Sequence, residues 1–179
     1  MKIFVTVGTA DMDELICAVD EQISVGFISD SVVAQIGRGR YTPKHMGFFP
    51  IATPETMQRG IDWADLVIST GGAATISDVI IKRNKKLIVV NMRPWSPQAL
   101  KPFIDGNHAL YCEDLEDLHL VIHKAKTFEF VPFETEQLDF RSLLEEFDID
   151  PNRIHPIEKF CLGMFFLFGL LLILTGLLS

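Results

Sequence analysis

Three glycine-containing segments stand where the chain could bind a charged ligand. They are residues 6–9 (TVGT), 35–39 (QIGRG) and 69–75 (STGGAAT), and each follows a short apolar run. Glycine permits tight turns and a close approach of the backbone to a ligand. The third segment opens into a helical pattern, whose first N–H groups and positive dipole attract anions. Backbone geometry alone would explain any single turn, but the three together predict a site for a nucleotide diphosphate.

Three charged side chains near these turns are candidates for contacts with such a ligand. Asp78 lies on the helix predicted after the third turn, where a carboxylate could accept hydrogen bonds from ribose hydroxyls. It could equally be a solvated helix acid. Arg38 and Arg93 could bind phosphate through their guanidinium groups, or remain ordinary surface cations.

Composition narrows the class of protein. Apolar residues make up 48% of the 179 and charged residues 22%, which is typical of a globular rather than a disordered chain. The net charge of −8 argues against a nucleic-acid partner, because neutralising phosphates requires a basic surface. Cys17, Cys112 and Cys161 are far apart and odd in number, so no disulfide framework is expected and a reducing compartment is favoured.

Neither common nucleotide signature is present, and no metal is expected. The sequence has no G-x-G-x-x-G after its first strand and no G-x-x-x-x-G-K-[ST], which counts against dinucleotide oxidoreductases and P-loop enzymes. His119 and His123 have the i, i+4 spacing of a helical ligand pair but lack the glutamate of H-E-x-x-H. We therefore predict neither a metal centre nor a bound cofactor.

Alternating strands and helices must position these residues. Strands are predicted at Ile3–Val7, Val32–Ile36, Leu66–Ser69, Lys86–Val90 and Ala109–Cys112, with a weaker one within 45–50. Helices are expected after the first strand, from Thr53 to Ala64, from the third glycine turn to about Lys82, over 98–105, and after Leu115. Continuously apolar strands that alternate with helices indicate an α/β fold, a Rossmann-like doubly wound parallel sheet.

The C-terminal part of the chain has a different composition. Residues 1–127 are predicted to form the nucleotide-binding domain, and 128–159 an amphipathic segment and linker. Residues 160–178 carry no charge and would span about 28 Å as a helix, which predicts a transmembrane helix. Arg153, His155 and Lys159 precede it and favour a cytoplasmic N-terminal domain. A buried helix or a partner-docking segment is the alternative.

Several of these segments, taken in order, resemble one family. Residues 5–9 (VTVGT), 35–39 (QIGRG), Tyr41-x-Pro43 and 64–69 (ADLVIS) before the glycine turn are similar to the C-terminal domain of glycosyltransferase family 28. The resemblance covers about residues 2–118. It is strongest to stand-alone subunits of split UDP-sugar transferases, of the dolichol-pathway N-acetylglucosaminyltransferase type and the bacterial exopolysaccharide PssE/EpsF type. It implies the C-terminal half of a GT-B enzyme, which binds the UDP-sugar donor.

The resemblance also implies roles for individual residues. Gly8 and Thr9 match the turn on the diphosphate side, Gly72 and Thr75 the turn at the donor phosphates, and Asp78 the family's ribose-binding glutamate. Gln98 matches a glutamine that contacts the donor sugar. With the residues singled out from the turns, the predicted donor-binding set is Gly8, Thr9, Gly37, Arg38, Gly71, Gly72, Thr75, Asp78 and Gln98. Such enzymes invert the configuration at the anomeric carbon without a metal. Their general base comes from the acceptor half, so no base is assigned in this chain.

The functional expectation is a donor-binding catalytic subunit. It would act with a membrane-associated subunit that binds the acceptor, and would transfer a hexose or N-acetylhexosamine to a lipid-linked sugar. Thr70 stands where the family often has histidine, and residues 91–97 lack the usual histidine or acid. These departures support the alternative, a non-catalytic scaffold or enhancer subunit of such a transferase.

Overall fold

The computed structural model describes residues 1–90 and 100–133. Within them, Met1–Phe133 forms one compact unit. The strands in chain order are β1 (Lys2–Thr6), β2 (Ser31–Gln35), β3 (Gly47–Phe49), β4 (Leu66–Ser69), β5 (Lys86–Val90) and β6 (Leu110–Cys112). The helices are α1 (Asp13–Ser24), α2 (Pro54–Trp63), α3 (Ala73–Ile76), α4 (Lys101–Asp105) and α5 (Leu118–Thr127). A π-helical turn, Ser77–Ile81, follows α3, and a 3-10 turn, Leu115–Asp117, precedes α5.

The strands of the described residues form one parallel sheet in the order β3-β2-β1-β4-β5-β6. The chain builds outward from β1 to β3, returns to place β4 on the other side of β1, and then builds outward to β6. The predicted Rossmann-like parallel sheet is confirmed, including the weaker third strand. Its strand order reverses between β1 and β4.

Helices cover both faces of the sheet because the strands are apolar on both. On one face, α1 and α5 pack against alternate strand residues such as Val5, Ile68 and Val90. On the other face lies Phe4, which is fully buried and touches Gly60 of α2 closely enough that a Cβ there would lie 2.7 Å from the ring. Strands buried on both sides place their polar groups at the strand ends, where the glycine turns begin.

Local sequence signals account for the start of α2, whereas the helix after the third glycine turn departs from its predicted course. Thr53 caps α2 by accepting a hydrogen bond from the Thr56 N–H at 3.3 Å, and proline follows it at the first helical position. The helix predicted to continue regularly to about Lys82 instead widens after Ile76. There the Lys82 N–H bonds to the Ser77 carbonyl, five residues back, at 3.0 Å.

Two of the predicted regions fall largely outside the described residues. Residues 128–133 belong to the compact unit, since the Val131 N–H donates to the Asn107 carbonyl at 3.0 Å. Residues 134–159 and the predicted transmembrane helix at 160–178 are not described. Among the helices of residues 1–90 and 100–133, none is long and apolar enough to cross a bilayer.

Candidate functional site

The three glycine turns leave neighbouring strands at the same edge of the sheet. Thr6, the last residue of β1, is in register with Gln35 of β2 on one side and with Ser69 of β4 on the other. Because all three strands are parallel, their carboxyl ends meet there. The strand order reverses between β1 and β4, and open α/β sheets bind ligands outside such a switch point. The crevice between the first and third turns is therefore the candidate site.

The first turn is held from inside the protein. Gly8 has a φ of +64°, which favours glycine, and its N–H donates to Gln35 Oε1 at 2.9 Å. Gln35 Nε2 donates to the Gly8 carbonyl at 2.7 Å. The Gly8 N–H is thus engaged within the fold, whereas the next residue, Thr9, is exposed.

The second turn is packed against the first. Gly37 also has a φ of +64°, and a Cβ on it would lie 2.2 Å from the Ala10 carbonyl oxygen and 2.9 Å from Val7 Cγ2. The Arg38 N–H donates to the Ala10 carbonyl at 3.0 Å, while the Arg38 side chain is exposed. Gly37 therefore has a structural role where the first two turns meet, and the role of exposed Arg38 in binding a ligand stays a prediction.

Two carboxylates of α1 hold the loop after the second turn, and sequence reasoning missed both. Asp13 accepts hydrogen bonds from the N–H groups of Arg40 and Tyr41, each at 3.0 Å. Asp20, which is 1% exposed, accepts from the Tyr41 hydroxyl at 2.9 Å, the His45 N–H at 2.7 Å and the Lys44 N–H. An acid four residues after Ile16, within the apolar stripe of α1, was the available signal for Asp20.

The pKa values of this cluster follow from its geometry. Burial alone raises the pKa of Asp20, but the N–H groups of Lys44 and His45 and the Tyr41 hydroxyl outweigh it, so the pKa is lowered. The hydrogen bond to the Asp20 carboxylate is the main reason that the pKa of Tyr41 is raised to about 12. Both shifts favour the charged carboxylate and the neutral phenol that the hydrogen bond requires.

The third turn combines a constrained glycine with an open one. Gly71 has a φ of +81°, and a Cβ on it would lie 2.8 Å from Val89 Cγ1. A Cβ on Gly72 would meet none of the described residues within 4 Å. The first intrahelical bond runs from the Ile76 N–H to the Gly72 carbonyl, so the N–H groups of the residues between them have no acceptor within the helix. These N–H groups, with half-buried Thr75, are available to an anion at the start of α3.

Asp78 lies one helical turn beyond the third glycine turn and is ion-paired. Its Oδ1 contacts Lys82 Nζ at 2.7 Å and Arg83 Nη1 at 3.9 Å. Arg83 also pairs with Asp62 of α2 at 2.7 Å. Among the described residues, these ion pairs involve Oδ1 alone. The ribose-binding role of Asp78 stays a prediction.

A family comparison supports the resemblance on which the residue roles depend. The family model described as "Glycosyltransferase family 28 C-terminal domain" matches residues 2–96, just over half of the chain. The chain belongs to this family. The match includes all three glycine turns and Asp78, and it ends before Gln98.

Curated relatives belong to one type of subunit. The chain is 29% identical over 127 residues to the "UDP-N-acetylglucosamine transferase subunit ALG13" of Homo sapiens, covering 62% of this chain and 11% of that protein. The protein of the same name from Mus musculus is 29% identical over 128 residues, covering 62% of this chain and 10% of its own length. The chain thus spans about a tenth of the length of these relatives.

Some of the other residues that the sequence singled out lie outside the described part of the chain, and others are placed by the structure. Arg93, Gln98 and the 91–97 loop lie outside the described residues. Thr70 is buried at the end of β4, with 7% of its surface exposed. His119 stacks on Phe27 with ring centroids 4.6 Å apart, and no group of three metal-ligating side chains occurs in the described part of the chain.

Proposed function

We propose that this chain is the UDP-sugar-binding catalytic subunit of a membrane-associated inverting glycosyltransferase. The observation that carries the proposal is the family's domain with its glycine turns side by side at the β1–β4 switch point. An acceptor hydroxyl would attack the anomeric carbon from the face opposite UDP, and the bond from that carbon to the diphosphate would break. The hydroxyl proton would go to a base on the partner subunit, and a glycoside with inverted configuration and UDP would leave.

The proposed donor contacts follow the chemistry of the turns. The N–H groups after Gly72 and the Thr75 hydroxyl would bind the diphosphate and stabilise the negative charge on departing UDP. Exposed Arg38 would add a cation from the second turn. Asp78 Oδ2 would accept a hydrogen bond from a ribose hydroxyl, while Oδ1 stays ion-paired with Lys82. Gln98 would contact the sugar, and the proposal requires neither a metal nor a cofactor.

The acceptor half is assigned to a second protein. The relatives' names describe a subunit of a UDP-N-acetylglucosamine transferase, and this supports a second protein that binds the acceptor. We propose a membrane-associated partner that binds a lipid-linked sugar, with hexose or N-acetylhexosamine as the transferred group. No nucleic-acid partner is proposed, since the chain has a net charge of −8.

Binding of uridine nucleotides to the full chain tests this function directly. Calorimetry should show binding of UDP and UDP-sugars but not of a GDP-sugar or NAD. Gly72→Ala should weaken UDP binding about tenfold at unchanged stability, because the new methyl group enters the open space where phosphate would approach. Gly47→Ala is the matched control: Gly47 lies in the edge strand β3, and of the described residues its Cβ would meet only Val33, with Cγ2 at 3.8 Å, so UDP affinity should not change.

The scaffold alternative predicts a different result, motivated by Thr70 and the 91–97 loop. A scaffold subunit would bind no uridine nucleotide even with the partner present, and Gly72→Ala would leave the activity of the assembled transferase intact. Either result would reject the catalytic proposal.

Membrane attachment is proposed to come from residues 160–178, with the domain on the cytoplasmic side. The full chain should float with lipid vesicles in a density gradient, whereas a chain ending at Glu158 should stay in the soluble fraction. A gradient in which both chains float without any partner would assign the attachment to residues before 159.

A further inference from the structure

The buried amide of Gln35 connects three strand ends below the candidate site. Gln35 ends β2 and is 1% exposed. Its Oε1 accepts from the Thr6 hydroxyl at 2.7 Å and from the Gly8 N–H at 2.9 Å. Its Nε2 donates to the Gly8 carbonyl at 2.7 Å and to the Pro50 carbonyl, after β3, at 3.3 Å. One side chain thus joins the ends of β1, β2 and β3.

The amide has only one orientation that fits these partners. The Gly8 N–H can only donate and the Gly8 and Pro50 carbonyls can only accept, so a flipped amide would set N–H against N–H and oxygen against oxygen at these three groups. It pairs with both backbone groups of Gly8, as a neighbouring strand would, beyond the point where the β1–β2 ladder ends. This pairing fixes Gly8 at its φ of +64° and directs the following residue, Thr9, outward.

We propose that Gln35 is a positioning residue that holds the Gly8 turn in the shape needed to bind the donor. The Gly8 N–H bonds to Gln35 and not to phosphate, so the first turn contacts the diphosphate through Thr9, for whose N–H no acceptor occurs among the described residues. This inference rests on the proposed function, since it assigns Gln35 a part in the same site. Gln35 itself touches no ligand.

Gln35→Glu makes the positioning role depend on pH. A protonated carboxyl group can still accept from Gly8 N–H and donate to one carbonyl, whereas a carboxylate can only accept and would face the carbonyls of Gly8 and Pro50. Burial against these oxygens raises the pKa of the introduced group above the usual value of about 4.3. At pH 5.5 the Kd of Gln35→Glu for UDP should lie within about threefold of the wild-type Kd. At pH 9 it should be at least about thirtyfold higher than the wild-type Kd at the same pH.

Two further variants separate positioning from general damage. Gln35→Met keeps the shape but loses every bond to Gly8, so its weakened binding should not depend on pH. Gln22→Glu is the matched control: Gln22 is 8% exposed, and its Nε2 donates to the Leu115 carbonyl at 2.6 Å, away from the turns. Its UDP affinity should follow the wild type at both pH values.

The experiment uses the full chain in mild detergent, with circular dichroism to confirm folding and the NMR signal of the Gly8 amide as a ligand-independent readout. In Gln35→Glu that signal should match the wild type at pH 5.5 and shift at pH 9. A folded Gln35→Glu protein with wild-type affinity at both pH values would overturn the inference, as would an equal loss in Gln22→Glu. If the wild type binds no uridine nucleotide while the Gly8 signal responds as expected, the proposed function fails and the donor-binding part of this inference fails with it, but the hydrogen-bonded arrangement stands.

Discussion

Replacing Gly37 by alanine is expected to lower the free energy of unfolding by about 4 kcal/mol and to abolish UDP binding. The residue has a φ of +64°, which strains any L side chain. Its Cβ would also lie 2.2 Å from the Ala10 carbonyl oxygen, which is backbone and cannot rotate away. The first two turns would have to separate, and the bond from Arg38 N–H to Ala10 would be lost. Urea unfolding of the full chain measures the loss.

Gly26→Ala separates the two causes. Gly26 has a φ of +82°, but within residues 1–90 and 100–133 a Cβ on it would meet nothing within 4 Å. This variant should lose only about 1 kcal/mol, the strain of the backbone conformation, and keep UDP affinity. If both variants lose the same stability, the close contact between the first two turns contributes nothing and the proposed packing of the site is wrong.

The sheet could be predicted from the sequence because its signals are local. Apolar runs such as Leu66–Ser69 and Lys86–Val90 end at polar or glycine residues, and the structure gives these two strands the predicted bounds. Thr53 followed by proline predicted the start of α2, which the structure confirms. Parallel pairing followed from the alternation of strands and helices. The location of the candidate site then followed from the position of the glycines at the strand ends.

The partners that support the site could not be predicted, even where a residue such as Asp20 stood out in its helix, because the contacts join residues far apart in the chain. Gln35 bonds to Gly8, 27 residues away, and Asp20 to His45, 25 residues away. Nothing in the local sequence distinguishes a glutamine that ends a strand from a solvated one. The glycines show the same limit: Gly37 and Gly71 are packed against neighbours, whereas a Cβ on Gly72 would contact no described residue, and the three look alike in sequence.

Replacing Asp20 by alanine is expected to lower the free energy of unfolding by about 3 kcal/mol, since a buried carboxylate with several charge-assisted hydrogen bonds is lost. The N–H groups of Lys44 and His45 and the Tyr41 hydroxyl would lose their acceptor. Asp13→Ala is the comparison, because Asp13 holds the same loop through two backbone N–H groups but is less buried. It should lose about 1 kcal/mol. Equal losses would show that burial of Asp20 adds nothing.

The dependence of stability on pH tests the hydrogen bonds between Asp20 and its partners at both acid and alkaline pH. The folded-state pKa of Asp20 is lowered, so its contribution is present above the unfolded value of about 3.9 and is lost as pH falls through the lower folded value. The pKa of Tyr41 is raised to about 12, so its contribution is present below the unfolded value of about 10 and is lost as pH rises toward 12. Thermal unfolding should therefore show a shallower acid decline in Asp20→Ala, and in Tyr41→Phe a shallower alkaline decline between pH 10 and 12. An alkaline profile of Tyr41→Phe that overlays the wild type would contradict the hydrogen bond between the phenol and Asp20. That bond, with the Asp13 contacts, holds the loop that follows the second turn and Arg38, so its loss should also weaken UDP binding.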